Sequence, residues 1–200
     1  LVTSRISLPS SGKHNTVYGM EVEVIEEEVM EEEIVFSASP VMVASVAFPS
    51  TKLVEFLKEK EGFFPNRYKC PANVKTVGYG FTKNGLEDAK RMGMLESDYE
   101  LPKSMTKEEA NRFLEDVIIP TYDRMVRNNV HVKLTNSQRE ALISFAYNAG
   151  EKNLRNIAGQ LNEKDYNITG RLMKYCYAKK KKLQGLVNRR QQEVNMWKNI

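Results

Sequence analysis

The stretch between residues 51 and 82 constrains the fold more than any other part of the chain. Apolar residues recur at helical spacing from Leu53 to Leu57, and Glu61 precedes Gly62, a residue type that commonly ends helices. The sequence therefore predicts a helix with one apolar face that ends at Glu61. The carboxyl group of Glu61 is then expected where this helix meets a loop.

A β-hairpin is predicted to follow this helix. Tyr68 and the run from Val74 to Val77 carry strand-favouring side chains, and Pro71 and Asn73 favour a turn between them. A Gly-x-Gly sequence at residues 78–80 then indicates tight backbone. The hairpin is expected to lie next to the end of the helix.

The spacing of three reactive side chains in this stretch predicts a catalytic cleft. Eight residues separate Glu61 from Cys70, and five separate Cys70 from Thr76. A carboxyl group at the end of a helix is thereby able to face a thiol and a hydroxyl on the hairpin. Such a group of side chains is suited to bond cleavage with general acid assistance.

This combination resembles the phage-type lysozymes, or endolysins, of glycoside hydrolase family 24. In that family, a Glu in a helix-ending Glu-Gly pair is followed at the same spacing by Asp or sometimes Cys, then by Thr, and then by Gly-x-Gly. Glu61, Cys70 and Thr76 match the Cys variant. The chain departs from the family at Phe81, where the family usually has His.

The resemblance covers residues 51–200 and implies the fold. Residues 134–150 resemble the family's central core helix, and residues 185–197 resemble its C-terminal helix. The implied fold is α+β and lysozyme-like, with a small lobe containing a β-hairpin and a larger, mainly α-helical lobe. The sequence thus predicts a catalytic domain at 51–200, preceded by an acidic arm at 1–50.

The function implied by the resemblance is that of a muramidase, a peptidoglycan hydrolase that cleaves the β-1,4 bond between N-acetylmuramic acid and N-acetylglucosamine. Glu61 would be the general acid that protonates the leaving oxygen, and Cys70 and Thr76 would activate or position water. The family inverts the anomeric carbon, whereas a Cys70 thiolate acting as nucleophile would give retention. Both routes are compatible with the sequence.

The resemblance also implies which residues bind the substrate. These expected contacts are Tyr68, Gly80, Asn148 and Glu151. Arg189 and Arg190 are interpreted instead as helix-surface residues or as members of structural ion pairs. Cys70 has an alternative role as a buried structural thiol or as a disulfide partner of Cys176, which is itself assigned to the helical core.

Two other functions remain open from the sequence. A lytic transglycosylase would use Glu61 without a water-positioning pair, and a non-catalytic module would bind the wall without cleaving it. The chain shows no metal-ligand spacing, no cofactor motif and no nucleic-acid-binding motif. Residues 34–48 are mainly apolar but fall short of the roughly 20 residues of a membrane span. We therefore expect a monomer that acts at the bacterial cell wall, without a cofactor and without stable membrane insertion.

Charge is divided unevenly between the two predicted parts of the chain. Residues 1–50 carry two basic and eight acidic residues, a net charge of −6, whereas residues 51–200 carry a net charge of +10. A cationic domain is attracted to a polyanionic cell wall. The acidic arm is either a solvated spacer or a segment that docks on the basic domain or on a partner.

Local signals predict the remaining elements. Thr106 with Glu109 and Thr135 with Gln138 have the pattern of capping boxes that begin helices. Pro120 is expected to kink or end the first of these helices, and Gly150 is expected to close the second. Residues 83–104 are interpreted as a loop with one short helix, inserted relative to the family. The lysine cluster at residues 179–182 is interpreted as an exposed helix end.

Overall fold

A computed structural model of the protein describes residues 48–70, 73–178 and 180–199. Residues 1–47, most of the predicted acidic arm, lie outside the described residues. The elements follow in the order α1 (Thr51–Glu61), β1 (Phe64–Lys69), β2 (Lys75–Gly78), β3 (Phe81–Thr82), α2 (Lys83–Arg91), α3 (Lys107–Phe113), a π-helical turn (Leu114–Ile118), α4 (Ile119–Asn129), α5 (Asn136–Ala149), α6 (Glu151–Asn162), α7 (Thr169–Leu172), β4 (Tyr177–Ala178), β5 (Lys181–Lys182) and α8 (Gln184–Lys198). This combination of helices with short antiparallel strands is an α+β fold, as predicted.

Helix α1 ends where the sequence predicted. The side-chain oxygen of Ser50 accepts the Leu53 N–H at 3.2 Å. The backbone N–H and the hydroxyl of Ser50 donate to the Glu140 carboxylate of α5 at 2.7 and 2.8 Å. At the other end, Glu61 is followed by Gly62 with φ 67°, a conformation that glycine adopts without strain. The cap therefore attaches the start of α1 to the helical lobe and leaves Glu61 at the far end.

The predicted β-hairpin is confirmed, and a third strand extends it. Strands β1 and β2 are antiparallel and place Tyr68 opposite Thr76, while β3 pairs with β2. Asn73 has φ 61° and donates its N–H to the carbonyl of Cys70 at 2.7 Å, whereas Pro71 lies outside the described residues. The two-residue strand β3 was not predicted because it is too short to show an alternating pattern.

The segment at residues 83–104 contains the one short helix that was predicted. Helix α2 begins after Thr82, whose hydroxyl accepts the Gly85 N–H at 3.2 Å. The segment then continues mainly as turns to an antiparallel bridge between Ser104 and Asn66 of β1. It therefore packs along the outer edge of the small sheet.

Pro120 does not end its helix. The Thr106–Glu109 capping box begins α3 as predicted, and the chain passes through the π-helical turn directly into α4. Proline lacks the N–H that an α-helix needs, and a wider turn changes the register of the hydrogen bonds around it. The hydroxyl of Thr121 donates to the Val117 carbonyl at 2.7 Å across this junction. The result is one long helical segment that contacts the pocket described below through Ile118.

Helix α5 is the centre of the larger lobe. It begins at the predicted Thr135–Gln138 capping box and ends before Gly150, which has φ 81°. Leu142 and Phe145 are fully buried, and α5 packs against α4, α6 and α8. Burial of a large apolar side chain contributes about 1.5–3 kcal/mol, so this helix accounts for much of the core.

One expectation for the C-terminal region is wrong. The lysine cluster is not a helix end, because β4 and β5 form a small hairpin with the exposed Lys180 in its turn at φ 64°. Of the two alternatives for Arg189 and Arg190, the ion pair is the one observed: their side chains are 5% and 0% exposed, and both pair with the carboxylate of Glu193. No helix within the described ranges has the length and apolar character needed to cross a membrane.

Candidate active site

A pocket of about 450 Å³ lies between the small sheet and the helical lobe. The residues that line it are Glu61, Tyr68, Cys70, Thr76, Gly80, Phe81, Thr82, Gly85, Ile118, Tyr122, Tyr147 and Asn148. The structure thus brings together six of the seven predicted site residues, although they come from α1, the hairpin and α5. Glu151 is the exception, since it is not among the lining residues.

Glu61 enters the pocket from the C-terminal end of α1 and lies against Gly80. A Cβ atom at residue 80 would be 2.8 Å from Glu61 Oε2 and 3.4 Å from the Tyr147 hydroxyl oxygen. Gly80 also has φ 81°, a conformation that side-chain-bearing residues rarely adopt. The backbone of the Gly-x-Gly turn therefore approaches the carboxylate more closely than any other residue type would allow.

Arg189 of α8 holds the other oxygen of this carboxylate. Its Nη1 donates to Glu61 Oε1 at 2.5 Å, and the Glu61 side chain is only 20% exposed. A charge-assisted contact in a half-buried site is stronger than a surface ion pair. Sequence reasoning assigned Arg189 to the helix surface or to a structural ion pair, and it did not identify the contact with Glu61.

Cys70 and Thr76 come from the two sides of the hairpin. The Cys70 N–H donates to the Val74 carbonyl at 3.0 Å, and the buried Thr76 donates its hydroxyl to the same carbonyl at 3.0 Å. Because the Thr76 hydroxyl donates to the backbone, its oxygen is available as an acceptor. Burial raises the pKa of the Tyr68 hydroxyl, and electrostatic interactions with Cys70 and Glu61 raise it further. Tyr68 is therefore expected to stay protonated and to act as a hydrogen-bond donor.

The second cysteine, Cys176, makes its described hydrogen bonds with residues outside the pocket lining. Cys176 is buried, and its thiol donates to the Met173 carbonyl at 2.9 Å. It forms no disulfide with any described residue. The assignment of Cys176 to the helical core is confirmed, and its pairing with Cys70 is not observed.

Phe81 occupies the position where a His was expected, and it makes an apolar wall. Its ring is 1% exposed and lies 5.0 Å from the Phe113 ring and 6.4 Å from the Tyr79 ring, measured between centroids. A phenyl ring has no polar atom with which to orient a substrate or a water molecule. Any polar orientation at this side of the pocket must come from other residues.

Two tyrosines close the pocket on the helical side. The Tyr147 hydroxyl donates to the Tyr79 carbonyl at 2.6 Å, and the Tyr122 hydroxyl lies 3.3 Å from Asp88 Oδ2. Burial raises the pKa of both hydroxyl groups, with the charge of Glu61 contributing in each case. Both tyrosines thus remain neutral beside the carboxylate.

Asn148 lines the pocket and is held by Arg190. Arg190 Nη2 donates to Asn148 Oδ1 at 2.8 Å, and the same nitrogen donates to Glu193 Oε1 at 3.0 Å. Burial lowers the pKa of Arg190, and the nearby carboxylate of Glu193 opposes this shift. The carboxylate of Glu193 in turn has its pKa raised by burial, with Arg190 and Arg189 opposing that shift.

Glu151 is the centre of a separate ion-pair cluster at the start of α6. Its carboxylate contacts Arg155 at 2.9 Å, Arg91 at 2.8 Å and the side-chain amide of Asn129 at 3.3 Å. Burial raises the pKa of Glu151, but the hydrogen bonds from Arg155 and Asn129 and the charge of Arg91 outweigh it, so the net shift is downward. This carboxylate joins α2, α4 and α6 and is not among the residues that line the pocket.

One sequence signal pointed to the buried arginines. Arg190, Glu193 and Trp197 recur at helical spacing and therefore share one face of α8. The Trp197 side chain is only 6% exposed. Charged residues that share a helix face with a buried tryptophan indicate a buried ion-pair cluster.

Among the described side chains, no group of three His, Cys, Asp or Glu is arranged to hold a metal ion.

Comparison with known proteins gives one family match and several similar structures. The sequence pattern of the phage lysozyme family matches residues 58–193. No curated protein sequence is a match to the chain. The muramidase domain of SpmX from Asticaccaulis excentricus has a similar structure, with a TM-score of 0.59 at 22% identity over 74% of this chain and 95% of that domain.

Two phage proteins are similar to the same extent. The endolysin from Escherichia coli O157:H7 phage FAHEc1 has a TM-score of 0.57 at 22% identity, over 74% of this chain and 91% of that one. The lysozyme of phage P22 has a TM-score of 0.56 at 21% identity, over 74% of this chain and 96% of that one. These similarities establish a lysozyme-like fold.

Proposed function

Because this chain belongs to the phage lysozyme family, and is therefore a glycoside hydrolase that acts on peptidoglycan, we propose that it cleaves the β-1,4 bond between N-acetylmuramic acid and N-acetylglucosamine with Glu61 as general acid. The observation that supports this proposal is the meeting of Glu61, Cys70 and Thr76 in one pocket. A carboxyl group, a thiol and a hydroxyl in one cleft provide both a proton donor and groups that contact water.

Glu61 donates its proton to the glycosidic oxygen in this proposal. A glycosidic oxygen is a poor leaving group unless it is protonated as the bond breaks. Glu61 Oε1 is held by Arg189, so Oε2, which lies against Gly80, is the oxygen assigned to proton transfer. Arg189 then stabilises the carboxylate that forms.

Cys70 and Thr76 activate or position the attacking water. The Thr76 oxygen accepts a hydrogen bond from water while its own hydroxyl continues to donate to the Val74 carbonyl. As a thiolate, Cys70 accepts the proton that the water loses as it attacks the anomeric carbon. As a thiol, Cys70 only orients the water, and that proton passes to solvent. In the other route, a Cys70 thiolate attacks the anomeric carbon directly, and the configuration is retained through a covalent intermediate.

Substrate contacts are assigned to Tyr68, Gly80 and Asn148. Tyr68 and Asn148 present a hydroxyl and an amide on opposite sides of the pocket, and the backbone at Gly80 is bare. Hydroxyl and amide groups match the N-acetyl and hydroxyl groups of a glycan chain. Glu151 was expected here from the sequence, but its ion pairs suit a structural role, so we do not include it.

Product analysis on purified peptidoglycan tests the proposal. Hydrolysis gives muropeptides one water heavier than the 1,6-anhydro products of a lytic transglycosylase. We expect hydrolysed reducing ends at N-acetylmuramic acid, with inverted configuration if Cys70 acts through water and retained configuration if it acts as the nucleophile. A 1,6-anhydro ring would contradict the proposed reaction, and binding without any cleavage would indicate a wall-binding module.

A further inference from the structure

Glu193 is a buried carboxylate that contacts both arginines behind the pocket. Its side chain is 0% exposed, and its Oε1 accepts hydrogen bonds from Ser144 Oγ at 2.7 Å, Arg189 Nε at 3.3 Å and Arg190 Nη2 at 3.0 Å. Arg190 Nε lies 2.8 Å from the other oxygen, Oε2, in an ion pair that lacks hydrogen-bond geometry. One carboxylate is therefore shared between two guanidinium groups.

Each of these arginines also contacts a side chain that lines the pocket. Arg189 donates from Nε to Glu193 and from Nη1 to Glu61, so its planar guanidinium spans the two carboxylates. Arg190 donates from Nη2 to both Glu193 and Asn148. Two chains of contacts therefore connect Glu193 to the pocket, one through Arg189 to Glu61 and one through Arg190 to Asn148.

We propose that Glu193 is a positioning residue for catalysis, which fixes Arg189 and Arg190 and through them the Glu61 carboxylate and the Asn148 amide. This proposal rests on the proposed function, because it assigns Glu61 as the reacting acid. Glu193 does not line the pocket, so it acts only through the arginines.

Apart from Glu193 and Glu61, the described contacts of the two arginines are with uncharged groups. Glu193 is therefore decisive for their placement. Arg189 also donates to the Ser144 carbonyl and hydroxyl at 3.3 and 3.4 Å, and the Arg190 guanidinium lies 4.9 Å from the Phe145 ring centroid. When Glu61 carries the proton that it will donate, it is neutral. Among the described contacts, Glu193 is then the remaining anion that holds either guanidinium.

A purely stabilising role explains the cluster less well. Buried ion pairs are weak evidence for stability, because well-packed apolar residues often serve as well. A displacement of about 1 Å at a reacting group, in contrast, can reduce the rate by about 10²-fold. Both arginines contact residues that line the pocket, and this favours a positioning role for Glu193.

The test compares Glu193→Gln with a matched control, Asp123→Asn. The amide keeps the shape of Glu193 but removes the charge that both arginines share. Asp123 is likewise a buried carboxylate shared by two arginines, Arg127 at 2.7 Å and Arg139, but none of the described contacts of these arginines is with a residue that lines the pocket. Both variants are assayed well below their melting temperatures, with kcat and KM measured on soluble glycan fragments.

We expect Glu193→Gln to lose kcat by at least about tenfold, by displacement of Glu61, while Asp123→Asn keeps kcat within about twofold at a similar loss of melting temperature. Equal kcat values for the two variants would overturn the proposal. If Glu193→Gln does not fold, Glu193→Asp replaces it, because the shorter acid keeps the charge but cannot hold both arginines. A wild-type kcat for Glu193→Asp would then overturn the proposal.

A double-mutant cycle with Asn148→Ala tests the contacts that run from Glu193 through Arg190 to Asn148. Residues in one hydrogen-bond network show non-additive effects, so we expect the loss in kcat/KM caused by Glu193→Gln to be smaller in the Asn148→Ala background. Full additivity would show that Glu193 does not act through Asn148 and would overturn that half of the proposal. Failure of the proposed function is seen separately, as activity of Glu61→Gln.

Discussion

Arg189 Nη1 donates to Glu61 Oε1 at 2.5 Å, although the two residues are 128 positions apart in the sequence. The last long helix thereby supplies the cation that holds the carboxylate at the end of the first. Glu61 Oε2 lies against Gly80, so the two oxygens have different surroundings. This asymmetry is the structural basis of the predictions below.

Arg189→Lys is expected to lower kcat by at least about tenfold, because a lysine has a single charged nitrogen and cannot span Glu61 and Glu193 together. Arg171→Lys is the matched control, since Arg171 is exposed and donates to the Asn156 carbonyl away from the pocket. Steady-state kinetics on soluble glycan fragments compare the two variants. Similar kcat values would show that the fork geometry of Arg189 is unimportant.

Cys70→Asp is expected to remain active, because a carboxylate positions or activates water as well as a thiol does. Cys70→Ala is expected to be strongly impaired. Alkylation should inactivate the wild type and spare Cys70→Asp, while Cys176→Ala serves as the control for the buried thiol. An alkylated wild type with full activity would show that Cys70 is structural.

Gly80→Ala is expected to lose most activity, because the new Cβ would lie 2.8 Å from Glu61 Oε2. The left-handed backbone at residue 80 adds a strain of about 1–3 kcal/mol, so the melting temperature should fall as well. Gly159→Ala in α6 is the control, since a Cβ there meets nothing within 4 Å and helix propensity favours alanine by about 1 kcal/mol. Unchanged kcat in Gly80→Ala would mean that the close approach to Glu61 has no role.

Glu151→Gln is expected to reduce stability at neutral pH with kcat/KM within about threefold of wild type, as in other structural ion pairs. The pKa of Glu151 is lowered in the folded protein, so its contribution to stability is present above the ordinary carboxyl value of 4.5 and is lost as the pH falls below it. Thermal unfolding from pH 3 to pH 7 should therefore show the wild type and the variant converging in acid. A raised KM with unchanged melting would instead restore Glu151 to substrate binding.

Local signals explain what the sequence predicts well. Gly62 ends α1 because its left-handed conformation suits glycine, and the Thr106 and Thr135 capping boxes begin helices through contacts only three residues apart. The hairpin follows from strand-favouring residues on both sides of a turn. These signals place Glu61 at a helix end and Thr76 on a strand, and the spacing then predicts their meeting.

Long-range contacts explain what the sequence does not predict. The partner of Glu61 on α8 depends on how α5 and α8 pack, and no local pattern near Glu61 encodes it. Glu151 was placed in the substrate site because it matches a cleft-lining position of the resembled family, but its neighbours in space are Arg91 and Arg155. Position along the chain therefore identified the pocket but not the charges behind it.

The most direct measurement is the kcat of Glu61→Gln on purified peptidoglycan, with Glu59→Gln as control. Glu59 belongs to the same helix and is exposed, with its carboxylate paired only to the neighbouring Lys60 among the described contacts. The account predicts that Glu61→Gln loses about 10²–10⁴-fold or more in kcat, while its fold and its binding to the wall are kept and Glu59→Gln remains fully active. A Glu61→Gln enzyme within threefold of wild type would contradict the assignment of Glu61 as the general acid.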